Sequence, residues 1–188
     1  MSTKRCFHVL LHCVLLTCIT LSSASSRVWK PTPHAIARDY ASIQDNRGKG
    51  EIIVLMWFVP QMVEPGAAGA AALTATLQKY VVIVAVHGRL DPTSGAMSFD
   101  EIDALEASDR NEKPLTSVPR DNLPPATTGM LVAMETLFRQ SLGAMGKGMK
   151  MFIFEAGSIN SCKKGLLSVP FAGETYTWET PIPGCTQN

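Results

Sequence analysis

The chain has 188 residues, 46% of them hydrophobic and 18% charged, with a formal net charge of +1. That is enough apolar material for one core, and a balance so near neutral gives bulk electrostatics nothing with which to gather nucleic acid or anionic lipid. Setting aside Lys4 and Arg5 leaves 15 basic against 16 acidic residues, so the chain from residue 25 onward carries −1.

The N-terminus has the layout of a secretory leader. Lys4 and Arg5 form a positive start, residues 6–21 are apolar apart from His8 and His12, and Ser22-Ser-Ala24 supplies small residues for a signal peptidase. Cleavage is expected after Ala24. The apolar run is too short, and too interrupted by histidine, for the roughly 20 residues a membrane helix needs. Leu15-Leu-Thr-Cys18 leaves lipidation at Cys18 as an alternative, with Thr17 bulkier than the residue usual before a lipidated cysteine. Cys6, Cys13 and Cys18 leave with the leader, so the mature chain keeps two cysteines, Cys162 and Cys185, in an oxidising compartment.

Residues 25–50 read as an arm with Pro31 and Pro33, a short edge strand over 39–44, and a turn at Asp45-Asn-Arg-Gly-Lys-Gly50. The remainder, 51–188, reads as a single domain. Its first strand covers residues 51–59 and is stopped by Pro60, which withholds a ladder donor. A helix follows from Pro65 to about Lys79, with Ala70, Leu73 and Leu77 on one face and weakened by Gly66 and Gly69. It runs directly into Tyr80-Val-Val-Ile-Val-Ala-Val86, an unalternating apolar strand of the kind buried on both faces. Strand, helix, strand would ordinarily suggest a parallel crossover.

Residues 87–95 read as a loop, 97–99 as a short strand, 100–106 as a helical turn, and 104–107 with 113–118 as a hairpin about Asp109-Arg-Asn-Glu112. The second helix begins at a Thr127 or Thr128 cap and carries the stripe Leu131, Met134, Leu137, Phe138 and Leu142, with Glu135 and Arg139 as a solvated pair. Gly143 and Gly146 end it. Residues 149–156 form a third buried strand, 157–164 a polar loop, and 166–171 with 175–180 a closing hairpin around Ala172-Gly-Glu174. The hairpins outweigh the crossover. The fold class expected is α+β, a mostly antiparallel or mixed sheet or sandwich with two helices packed on it.

The chemistry-bearing patterns are weak. Gly143-Ala-Met-Gly-Lys-Gly-Met-Lys150 lacks the Ser or Thr after lysine, and the strand before it, that a phosphate loop needs; a helix C-cap and turn explain its glycines. His87, Asp91 and Ser94 share one stretch without a nucleophile elbow and read as a polar loop suited to a binding contact. His34 and His87 alone survive cleavage, which excludes a histidine-rich zinc site. The acidic window Asp100, Glu101, Asp103, Glu106, Asp109 and Glu112 has no glycine for a calcium loop and reads as a solvated face. Met130, Met134, Met145, Met149 and Met151 suit core packing, with Cu(I) binding by Met145, Met149 and Met151 as the alternative. No catalytic residue, cofactor or metal ligand is assigned.

Trp57-Phe-Val-Pro60, the strand ending His87-Gly88, the glycine segment before Phe152-Ile-Phe154, and Tyr176-Thr-Trp-Glu-Thr-Pro181 resemble an uncharacterised family of exported bacterial proteins, over roughly 51–182. The resemblance implies a periplasmic or secreted location and lends no activity to any residue. The function expected is therefore a non-catalytic exported domain, binding a protein or small molecule or associated with the envelope. The alternatives are soft-metal binding and an enzyme with a site near His87 and Asp91. One covalent feature is expected: Cys162 and Cys185 lie equidistant from a point between Gly173 and Glu174, close to the hairpin turn, and opposed residues of a hairpin come near disulfide separation.

Overall fold

The computed structural model describes residues 41–46 and 50–185, with side chains from residue 50 onward. The leader, its cleavage at Ala24, Cys18 and His34 lie outside the described residues.

Among the described residues, seven strands and two α-helices follow one another: β1 (Ala41–Asn46), β2 (Glu51–Phe58), α1 (Ala70–Lys79), β3 (Tyr80–Leu90), β4 (Met97–Phe99), α2 (Pro125–Ser141), β5 (Lys150–Glu155), β6 (Gly165–Phe171) and β7 (Glu174–Thr180). Every pairing among these strands is antiparallel. β3 is the spine of the main sheet. It takes β2 along one edge, while β5 and β4 share the other edge end to end, against its first and last residues. Residues 80–86 are all buried, as an apolar run without alternation requires. The fold is therefore α+β with an antiparallel sheet.

The crossover suggested by β2, α1 and β3 does not form, because β2 and β3 are antiparallel neighbours. A parallel connection must carry the chain back the full length of β2, about 26 Å for eight residues. Helix α1 has ten residues and reaches only about 15 Å. It is shorter than expected because Gly66 and Gly69 adopt positive φ before it, so helix begins at Ala70 rather than Pro65.

Alternate residues of a strand face opposite ways, and β2 shows what each face meets. Phe58 packs edge-on against Phe138 of α2 at 5.1 Å between ring centroids. Its neighbour Trp57 packs edge-on against Trp178 of β7 at 6.4 Å. Helix α2 thus covers one face and the β6–β7 hairpin the other. That hairpin turns on Ala172 and Gly173, both at positive φ, the geometry of a two-residue hairpin turn.

Several local expectations are corrected. Residues 87–90 continue β3 rather than opening a loop. Residues 100–107 contain no helical turn. The hairpin expected over 104–118 forms only as a short one: Ser108 and Pro114 make its single bridge, and the Leu115 and Asp109 amides donate to the Ala107 and Lys113 carbonyls. Ser108 also bonds Ser168 of β6, and Ser117 pairs with Phe154 of β5. The segment thus pairs with itself at the turn and also stitches the two sheets together. Helix α2 starts at Pro125 with no side-chain cap, and Thr128 Oγ1 bonds the Pro124 carbonyl from within the first turn. Of the predicted stripe, Leu131 and Met134 are buried, Phe138 and Leu142 pack against the core, and Leu137 is 64% exposed.

Glu135 and Arg139 are not a simple solvated pair. The Glu135 carboxylate is only 15% exposed and binds both Arg120 and Arg139. Arg139 also donates to the Gly146 and Met149 carbonyls, tying the end of α2 to the start of β5. Burial pushes the Glu135 carboxyl up, but the hydrogen bonds from the two arginines prevail and hold it below its ordinary value. The glycine segment after α2 is a 3-10 turn over Gly143–Gly148. Gly143, at positive φ, follows the helix end as a C-cap glycine does, and Gly148 lies where a Cβ would enter the Phe99 ring.

Candidate functional site

Two places gather polar chemistry. The first is a groove of about 780 Å³ beside the end of β2. Pro60 terminates the strand and a short 3-10 turn over Pro60–Met62 sets Gln61 at the groove's edge. The floor is apolar, made by Trp57, Leu77, Val81, Ala156 and Ile159, all nearly covered by their neighbours. The rim is polar, with Gln61, Gln78, Asn160, Ser161, Cys162 and Lys163. Among the described residues lining it, Lys163 is the only charged one. A shallower hollow of about 670 Å³ shares Pro60, Gln61 and Gln78 and extends to α1 and Gly184.

Cys162 and Cys185 stand beside this groove, their sulfurs 2.08 Å apart and their Cα atoms 5.3 Å apart. The pair is as expected, but the reason differs. Ladder partners of β6 and β7 centre between Ala172 and Gly173, so continued pairing would set Pro183, not Cys185, opposite Cys162. The ladder stops at Gly165 and Thr180; beyond it Ile182 donates to the Ser161 carbonyl, and this looser path brings Cys185 across. Gln61 Nε2 lies 2.9 Å from Cys162 Sγ and 3.4 Å from Cys185 Sγ. Gln61 Oε1 and the Tyr176 hydroxyl are buried without hydrogen-bond partners among the described residues.

The second place is an ionic cluster at the far end of the β2–β3 ladder. His87 Nε2 lies 2.7 Å from Glu51 Oε1, and His87 Nδ1 lies 3.0 Å from Asp100 Oδ2. Arg89 donates to both oxygens of Asp100 at 2.9 Å. The Phe171 ring meets the imidazole edge-on, with 6.0 Å between ring centroids. Asp100 is held below the ordinary carboxylate range by the Arg89 hydrogen bond and then by His87 nearby. A neutral imidazole has one N–H, so only the imidazolium donates to both carboxylates at once. With each ring nitrogen on a different carboxylate, neither is turned toward a third group.

His87, Asp91 and Ser94 are not brought together. Asp91 accepts from the Thr93 and Ser94 amides at 2.8 Å and so organises its own turn, while His87 belongs to the strand. The acidic window is divided as well. Asp100 is in the ionic cluster and Asp109 is buried, whereas Glu101, Asp103, Glu106 and Glu112 are exposed. Asp109 accepts from the amides of Asn111 and Lys113 and from the Ser158 hydroxyl at 2.6 Å. The Ser158 bond is the largest cause of its lowered pKa.

A carboxyl whose pKa is lower folded than unfolded adds stability above its unfolded value, near 4, and loses that contribution as pH falls through the folded value. Asp109→Asn is therefore expected to lower the urea midpoint at pH 7, with the gap to the parent narrowing from about pH 5 downward. A gap that stays constant to pH 3 would show that Asp109 acts by shape and not by charge.

Met134, Met149 and Met151 are buried in the core, Met145 packs against it, and Met130 is half-buried. Among the described residues, no group of three or more His, Cys, Asp or Glu is placed to hold a metal ion. Likewise, no helix among them is long and apolar enough to cross a membrane. Gln61 carried no sequence signal beyond following the proline that ends a buried strand. Glu51 and Asp100 are far from His87 along the chain and meet it only through strand register. Comparison with known proteins returns no match: no family model, no curated protein and no solved structure.

Proposed function

We propose that this chain is an exported, non-catalytic binding domain whose ligand lies in the groove between Trp57 and Lys163. The groove carries the reading: an apolar floor beneath a polar rim with a single cation suits a small amphipathic molecule with an acidic group. Export is supported by the leader pattern, by the Cys162–Cys185 pair, and by the resemblance to exported bacterial proteins, which favours the periplasm or the medium. The ionic cluster at His87 is better suited to holding strands in register than to proton transfer, because both its ring nitrogens are engaged.

The experiment uses protein recovered from outside the cytoplasm and titrates it with anilinonaphthalene sulfonate, an aromatic anion. The recovered chain should begin at Ser25 and bind the dye at one site. Lys163→Glu should weaken that binding about fivefold, which corresponds to about 1 kcal/mol at a partly desolvated charge. Dye binding indifferent to Lys163→Glu, or a chain that begins at Met1, would count against the proposal.

A further inference from the structure

The Cys162–Cys185 pair has surroundings that a purely structural crosslink does not need. Cys162 is exposed and lines the groove, whereas Cys185 is half-buried against the core. Gln61 Nε2 is within reach of both sulfurs, and an N–H at that place favours a sulfur that is gaining negative charge. Lys163 lines the same groove as Cys162, and its positive charge favours the approach of an anionic thiolate. Cys185 Sγ sits 3.2 Å from the Ser161 carbonyl oxygen. A bridged sulfur has no proton to give that oxygen, but a freed thiol does. Both the thiolate and the thiol of Cys185 thus have a partner already in place.

We infer that the groove admits external thiols and that Cys162 is a site of thiol–disulfide exchange in the folded protein, with small thiols or dithiol oxidoreductases as its substrates. The incoming thiolate bonds Cys162 Sγ in line with the existing bridge. The Cys162–Cys185 bond breaks, its electron pair goes to Cys185 Sγ, and that sulfur takes a proton from solvent. A second thiolate then displaces Cys162, so the external thiols leave as their own disulfide and the protein keeps two thiols. Reduction unties 181–185 from the groove, whose walls include Pro181 and, in the neighbouring hollow, Gly184. That last consequence rests on the groove being the binding site; the exchange itself does not.

The oxidised protein is incubated with reduced glutathione under native conditions, quenched with acid, and followed by intact mass and peptide mapping. The first product should be a single glutathione adduct on Cys162 with Cys185 free. Its rate should rise in proportion to glutathione and be unchanged by urea well below the unfolding transition. Gln61→Leu should slow this native-state reaction about tenfold, the loss of one hydrogen bond to a developing charge. An adduct first on Cys185, an unchanged rate in Gln61→Leu, or a rate that saturates with glutathione and climbs with dilute urea would overturn the inference. The last of these means exchange through unfolding. Dye binding to the oxidised protein is a separate reading, so failure of the exchange and failure of the groove as a binding site are told apart.

Discussion

Gly146→Ala is expected to destabilise the protein by about 3 kcal/mol, among the largest effects of any one-methyl change in this chain. The added Cβ would fall on the carbonyl group of Arg139, and even the Arg139 Cα would be only 2.8 Å away. These are backbone atoms, so no side-chain rotation relieves the clash. Nor can Arg139 yield easily: its guanidinium is held by Glu135 and by the carbonyls of Gly146 and Met149. The connection from α2 to β5 would have to open, and it positions Met149, which is fully buried. Gly129 is the control. It lies within α2 with nothing within 4 Å of an added Cβ, so Gly129→Ala should stabilise by about 0.5–1 kcal/mol through helix propensity. Urea midpoints of the two variants should move in opposite directions. A Gly146→Ala midpoint within the range of Gly129→Ala would mean that the turn over 143–148 is not packed as described.

The second large effect concerns the crosslink. Replacing both Cys162 and Cys185 with alanine should cost about 3.4 kcal/mol, the chain-entropy value for a sequence separation of 23. Because that stabilisation acts on the unfolded chain, the variant should also unfold with a steeper urea dependence as the free chain exposes more surface. The folded contacts near the bridge are few. Ile182 is buried and donates to Ser161, but the residues around it are largely exposed, so the native structure offers little to offset the loss. An unchanged midpoint and slope in the double-alanine variant would show that the two sulfurs are not joined in solution.

Much of the fold was legible because it is written in local pattern. The apolar run at Tyr80, Pro60 as a strand terminator, and Ala172-Gly173 as a turn each act through the backbone of a few residues. Where reading failed, a local propensity competed with another nearby or with a partner distant in sequence. Thr127 and Thr128 are good capping residues, yet Pro125 pre-sets the first turn and moves the helix start upstream of them. Residues 104–118 looked like a hairpin because a turn lies at their centre. They do close a short hairpin with one bridge, but further hydrogen bonds go outward to β5 and β6, which no short-range signal announces.

The candidate sites follow the same division. Sequence alone determined that the chain has one core strand too apolar to be at an edge, two cysteines beyond residue 24, and glycines at the end of α2. Those follow from residue chemistry and from φ preferences, which need no partner. Only the tertiary structure decided that β2 and β3 run antiparallel, that Glu51 and Asp100 flank His87, and that Gln61 touches both sulfurs beside a groove floored by Trp57. Register and packing set these contacts, and a one-residue slip in the β2–β3 ladder would turn Glu51 to the opposite face of the sheet from His87.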